Sequence, residues 1–295
     1  MTTRRLQVFI FTSLGMLLIG LSGWLVYNAL QPATHFNGHR AYQDILAQVS
    51  LGARTPGSVA HAQAVVYIQQ ELVKAGWTVQ IQTTEWQGFS IQNIIAYRSE
   101  VTPHIIVGAH YDSRLLADQD PGLGRYGPVL GANDGASGVA VLLELARTLP
   151  SDSVPVWLVF FDAEDNGGLD NRQWIMGSRA YVTGLKEKPQ AAVIVDMVGD
   201  ADLKVYIERN SDAGLTAEIW AQAAALGYGK NFIASPKYDM IDDHTPFLEA
   251  GIPAVDIIDF DYPYWHTSAD TMDKVSAQSL QAVGETLWVW LESQK

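Results

Sequence analysis

The chain has 295 residues, 48% of them hydrophobic and 17% charged, which supports a sizeable core and argues against disorder. Its net charge of −13 argues against a nucleic-acid partner, because phosphate recognition needs basic patches and the only basic cluster lies at Arg4 and Arg5. Cysteine is absent, so disulfides, thiolate ligands and a cysteine nucleophile are excluded; any metal must be held by His and carboxylates.

Residues 1–5 form a basic stub. Residues 6–30 contain no charge and are long enough to cross a hydrocarbon core that needs about 20 residues. A cleaved signal peptide has a shorter apolar region and a small-residue cleavage site, and neither is evident. Positive residues stay cytoplasmic, so the run predicts a single-pass signal anchor with the N-terminus inside and the remaining chain extracytoplasmic. Trp24 and Tyr27 then fall near the outer interface. Residues 31–40 read as a linker and residues 41–295 as one domain, with no internal repeat.

Within that domain, a helical pattern over 42–50 breaks at 51–58, where Ser58 can cap a second helix that stops at Gly76. Residues 77–83 and 91–97 read as strands. Residues 105–109 form a short apolar strand ending at His110. Residues 115–129, rich in Asp, Gly and Pro, read as a surface loop near a pocket mouth. The glycine-rich run 131–138 carries Asp134 and precedes a helix over 139–149. Residues 156–161 are six apolar residues, suited to a strand buried on both faces, and Asp162, Glu164 and Asp165 follow directly. A helix over 179–185, a buried strand over 192–195 ending at Asp196, a strand at 203–207 and a helix over 216–226 come next. Asp242 opens a helical stretch that stops at Gly251. The chain closes with a strand over 253–258, a loop at 262–267 and a helix over 276–292. Strands alternating with helices predict an α/β fold: a single three-layer domain with a mostly parallel central sheet flanked by helices, preceded by one N-terminal transmembrane helix.

In open α/β sheets ligands sit beyond the carboxyl ends of the strands, and here those ends carry His110, Glu164, Asp165 and Asp196. Asp134 opens a helix and His266 lies in a late loop. Each alone has a bland reading: a hydrogen-bonded histidine, an N-cap, an acidic turn. Their recurrence at successive strand ends predicts one centre of two imidazoles and several carboxylates, suited to Zn²⁺ or a similar first-row ion.

The motifs His110-Tyr111-Asp112-Ser113, Asn133-Asp134-Gly135-Ala136-Ser137-Gly138, Phe160-Phe161-Asp162-Ala163-Glu164-Asp165, Gly177-Ser178, Asp196, Asp242-Asp243-His244-Thr245-Pro246-Phe247 and His266-Thr267 resemble, in order and spacing, metallopeptidase family 28. The family includes zinc aminopeptidases and animal-type glutaminyl cyclases, and the resemblance covers residues 52–295. It implies that His110 and Asp196 hold one zinc, Asp165 and His266 another, and that Asp134 bridges them. It also implies that Glu164 is the general base acting on metal-held water. The family's usual Glu is Asp165 here.

Trp265, Asp242 and Tyr262 resemble the cyclase substrate pocket, where an indole packs on the substrate and the equivalents of Asp196 and Asp242 share a hydrogen-bonded network. Such a network could withdraw Asp196 from metal and leave one zinc on Asp134, Asp165 and His266. Against the cyclase, residues 166–174 do not reproduce the loop that supplies a second tryptophan at a fixed distance after the base, with Trp174 the candidate substitute at a different spacing, and the cyclase's pocket histidine falls on Asp256. The expectation is therefore a membrane-anchored zinc exopeptidase of aminopeptidase type acting on peptide N-termini, with two zinc ions. The alternative is a glutaminyl-peptide cyclotransferase with one zinc. A catalytically dead binding ectodomain is disfavoured, because no ligand or base is missing.

Overall fold

The computed structural model describes residues 34–295; the stub, the expected membrane span and residues 31–33 of the expected linker lie outside the described residues, and the last three linker positions, 38–40, open the first helix instead. Among the described residues no helix is long and apolar enough to cross a membrane. Residues 36–295 form one compact unit.

Two helices lead, α1 (Gly38–Ser50) and α2 (Val59–Lys74), each capped by a polar side chain. Asn37 accepts from the Arg40 amide, and Ser58 accepts from the His61 amide at 3.0 Å, as its place before the apolar run predicts. Strands β1 (Thr78–Trp86) and β2 (Phe89–Tyr97) follow. They make an antiparallel hairpin because Gln87 and Gly88, both at positive φ, form a two-residue turn whose twist matches that of the strands.

Strand β3 (Ile105–His110), helix α3 (Ala136–Thr148), strand β4 (Val156–Phe161), helix α4 (Met176–Thr183) and strand β5 (Ala191–Asp196) build the centre. Strands β6 (Val205–Ile207) and β7 (Phe232–Pro236) pair in parallel as a small separate sheet around α5 (Ala213–Ala225). Helix α6 (Thr245–Glu249), strand β8 (Ala254–Ile258) and helix α7 (Ala277–Glu292) end the chain.

The main sheet has the order β1-β2-β4-β3-β5-β8. Strands β4, β3, β5 and β8 run parallel, while β2 is antiparallel to both of its neighbours. The sheet is therefore mixed rather than simply parallel, and the difference comes from the hairpin at its edge. Residues alternate between faces along each strand. Ile105, Val107 and Ala109 of β3 join the core under α1, α2, α3, α5 and α7, whereas Ile106 faces Tyr181 of α4 and Phe247 of α6. That is the three-layer arrangement expected from the strand–helix alternation. All four parallel strands end at one edge, where His110, the Asp162–Asp165 turn, Asp196 and the loop after β8 meet.

Candidate metal centre

Helix α3 starts hard against β3 and β5. A Cβ on Gly138 would overlap the Val195 carbonyl oxygen and lie 2.9 Å from the Ala109 Cβ, so the glycine run permits the approach that puts Asp134 beside His110. The Nε2 of His110 lies 3.1 Å from Asp196 Oδ1 and 3.2 Å from Asp134 Oδ1. The Nε2 of His266 lies 2.7 Å from Asp165 Oδ1 and 3.7 Å from Asp134 Oδ2. Asp134 thus turns one oxygen to each imidazole, as a bridging carboxylate must.

Two donor sets result, His110–Asp134–Asp196 and Asp134–Asp165–His266, each with three buried ligand atoms within 4.8 Å of one another. Asp134 Oδ2 and Asp165 Oδ2 are buried without a hydrogen-bond partner among the described residues. An orphaned buried carboxylate oxygen is costly unless a cation meets it. Imidazole and carboxylate donors without thiolate suit zinc, so the residues fit the expected ion.

Three further carboxylates hold these ligands, and sequence reasoning missed all three. Asp112 accepts from the Glu164 and Asp165 amides at 3.1 and 3.3 Å, and its Oδ1 lies 3.5 Å from His110 Nδ1. Asp270 accepts from the Asn133 and Asp134 amides and, at 2.7 Å, from the Tyr262 hydroxyl. Asp118 Oδ1 lies 3.4 Å from His266 Nδ1. Such partners orient a metal-ligating histidine. Only Asp112 had a legible signal, its place within the His110 motif. Tyr262, expected in the substrate pocket, is buried with its hydroxyl spent on Asp270, which places it in support of Asp134.

Backbone strain gathers at the same residues. Seven described non-glycine residues have positive φ, and four of them, Ala163, Ile175, Met197 and His266, are ligands or flank the site. Each such conformation costs on the order of 1–3 kcal/mol, so tertiary contacts must hold it. Ile175 and Met176 donate to the carbonyls of Glu164 and Ala163 at 3.0 and 3.2 Å and fix the turn that presents Glu164.

Burial pushes the Glu164 carboxyl well above the ordinary carboxylate range; His110 opposes this, while Asp242, Asp165 and Asp243 push it further. Burial likewise raises Asp196 to about 7 and Asp165 to about 6. Asp256, fully buried on β8, is pushed well up by burial and then by Asp242, Asp196 and Glu208. Like charges so close cannot all ionise in a dry pocket, so the cluster holds protons unless cations enter. Asp242 is buried within electrostatic reach of Glu164, Asp196 and Asp256.

An aromatic wall completes the site. The Trp265 ring stacks on His266 with centroids 3.7 Å apart and planes 23° apart. Trp174 also stacks on His266, at 5.9 Å and 12°. Trp174 is 10 positions beyond Glu164 in the sequence, yet folding brings it to the His266 ring.

Comparison with known proteins agrees with this geometry. The model of Peptidase family M28 matches residues 93–291, and the chain belongs to that family. The crystal structure of Porphyromonas gingivalis glutaminyl cyclase is 34% identical, with 89% of this chain and 100% of that one covered and a TM-score of 0.84. A Zn-dependent exopeptidase from Parabacteroides distasonis is 30% identical over 89% of this chain and 99% of its own, with a TM-score of 0.82. The glutaminyl-peptide cyclotransferase of Boiga irregularis is 26% identical over 309 residues, 89% of this chain and 83% of its own. The chain is thus an M28 enzyme with both cyclases and exopeptidases among its relatives.

Proposed function

We propose that this protein is a glutaminyl-peptide cyclotransferase, forming pyroglutamate at peptide N-termini. The observation that carries the reading is Trp174. The sequence favoured an aminopeptidase because the second pocket tryptophan stood at the wrong spacing, whereas the fold brings Trp174 parallel to His266, opposite in chain origin to Trp265. Two indoles beside one ligand histidine suit a flat, uncharged side chain such as the glutamine amide. The dense carboxylate cluster of Asp196, Asp242 and Asp256 supports the same reading, because it engages Asp196 in a proton-holding network.

Asp134, Asp165 and His266 would hold zinc, and His110 and Asp196 supply a second position. When bound, zinc would supply a Lewis acid at the reacting carbonyl. The chain's own residues do the rest. Glu164, ionised once a cation offsets the carboxylate cluster, takes a proton from the substrate α-amine as its nitrogen bonds to the side-chain amide carbon. The C–N bond to the amide nitrogen breaks, and Glu164 returns the proton so that ammonia leaves. No water is consumed, and the half-buried indoles of Trp174 and Trp265 help to exclude it.

An aminopeptidase reading is favoured by one observation: the His110–Asp134–Asp196 set is fully formed. The assay that decides compares a peptide beginning with glutamine against an aminoacyl anilide. Ammonia with a pyroglutamyl product is the expected outcome; release of free amino acid as the main reaction overturns the cyclase assignment. Anchoring through residues 6–30, with the domain outside the cytoplasm, belongs to the proposal and rests on the uncharged run after Arg4 and Arg5. Protein washed from membranes by carbonate would overturn it.

A further inference from the structure

The Asp165–His266 half of the centre stands on loops, and one buried side chain ties those loops together. Arg114 is 4% exposed. Its Nη2 donates to Asp118 Oδ2 at 2.5 Å and its Nε to Asp118 Oδ1 at 3.3 Å. Its Nη1 donates to the carbonyls of Asp165 at 2.9 Å and Gly167 at 3.1 Å. Its guanidinium carbon lies 4.8 Å over the Trp174 ring, whose other stacking partner is His266.

The segment after Arg114 then grips the histidine loop at three points. Asp118 faces His266 Nδ1 at 3.4 Å, the Gln119 amide donates to the His266 carbonyl at 3.2 Å, and Asp120 Oδ2 accepts from the Ser268 amide at 3.0 Å. His266 is held at φ 55°, a conformation that a non-glycine residue keeps only where surrounding contacts impose it. We propose that Arg114 is the positioning residue of this half of the centre. It sets the loop after Asp165, the Asp118 carboxylate that orients His266, and the Trp174 wall, all at once. A planar fork can do this; a lysine ammonium cannot reach a carboxylate edge-on, two carbonyls and an aromatic face together.

The inference rests on the metal-centre reading above but not on the choice between cyclisation and hydrolysis. Its test measures zinc affinity of the full chain by competition with a chromogenic chelator, alongside thermal unfolding. Arg114→Lys and Asp118→Asn are each expected to weaken one zinc position about 10–100-fold, the range for losing an outer partner of a ligand. The double variant is expected to weaken it no further than Arg114→Lys alone, because both act through His266. Arg125→Ala, on the exposed part of the same loop, is expected to bind zinc as wild type does.

Zinc affinity unchanged in both variants, or falling only in step with the folded fraction, overturns the proposal. Should Arg114→Lys not fold, Asp118→Asn decides alone, since the Asp118 side chain is 31% exposed and its loss leaves the core intact. Wild-type protein that takes up no zinc overturns the metal-centre reading itself. Wild-type binding with unchanged variants overturns only the role of Arg114.

Discussion

The two halves of the centre are built differently. His110 and Asp196 terminate β3 and β5, adjacent strands in the middle of the sheet, and each is registered in a ladder, His110 opposite Phe161 of β4 and Asp196 opposite Ile258 of β8. Asp165 and His266 lie in loops, and their placement depends on Arg114, Asp118 and stacked indoles. Asp134 is shared between them. The strand-borne half is rigid by construction but sits against a bank of competing carboxylates. The loop-borne half must be held by side chains. The two halves thus differ in what holds their ligands, ladder hydrogen bonds in one and side-chain contacts in the other.

The largest expected effect tests what the halves share. Glu164→Gln should lower turnover about 10²–10⁴-fold, the usual worth of a general acid–base, while both donor sets keep their metal. Turnover retained in this variant, measured beside zinc content, would remove Glu164 from the mechanism and with it the common reference for the two halves.

A smaller, asymmetric effect separates them. His266→Ala should release zinc from its own position and lower cyclisation about a hundredfold, whereas His110→Ala should keep one zinc and lose less than about tenfold in kcat, order-of-magnitude expectations for a site whose second position is dispensable. Equal losses in both variants would favour the two-ion hydrolase.

The smallest effect concerns the ground behind the strand-borne half. Glu208 is opposed by burial but accepts from the Asn210, Ser211 and Met240 amides and lies 3.3 Å from His244 Nε2, which holds its carboxyl down at about 2. A carboxyl lowered in the folded state stabilises the fold above its unfolded value of about 4.5, and that stabilisation is lost as the pH falls towards 2. Glu208→Gln should therefore cost about 2 kcal/mol at pH 7. Denaturant titrations should show the difference from wild type narrowing below pH 4.5; a difference independent of pH would mean that packing, not charge, holds this region.

Sequence by itself determined the elements whose signal is local. Ser58 caps α2 because a hydroxyl before an apolar run has only three residues to reach. Strands β3, β4 and β5 were legible as short apolar runs, and the acids and histidine at their ends were legible because a strand's exit fixes where the next residues point. Tertiary structure decided what depends on chain path. It set the antiparallel edge of the sheet, the pairing of β7 with β6, and the convergence of His266 with Asp165 from 101 positions away. It also recruited Asp118, Asp270 and Arg114, none of which has a spacing that announces a role, and it brought Trp174, a candidate at an unexpected spacing, to the His266 ring. Their contributions come from loops whose course is set by long-range hydrogen bonds and stacking, and those forces leave no period in the sequence.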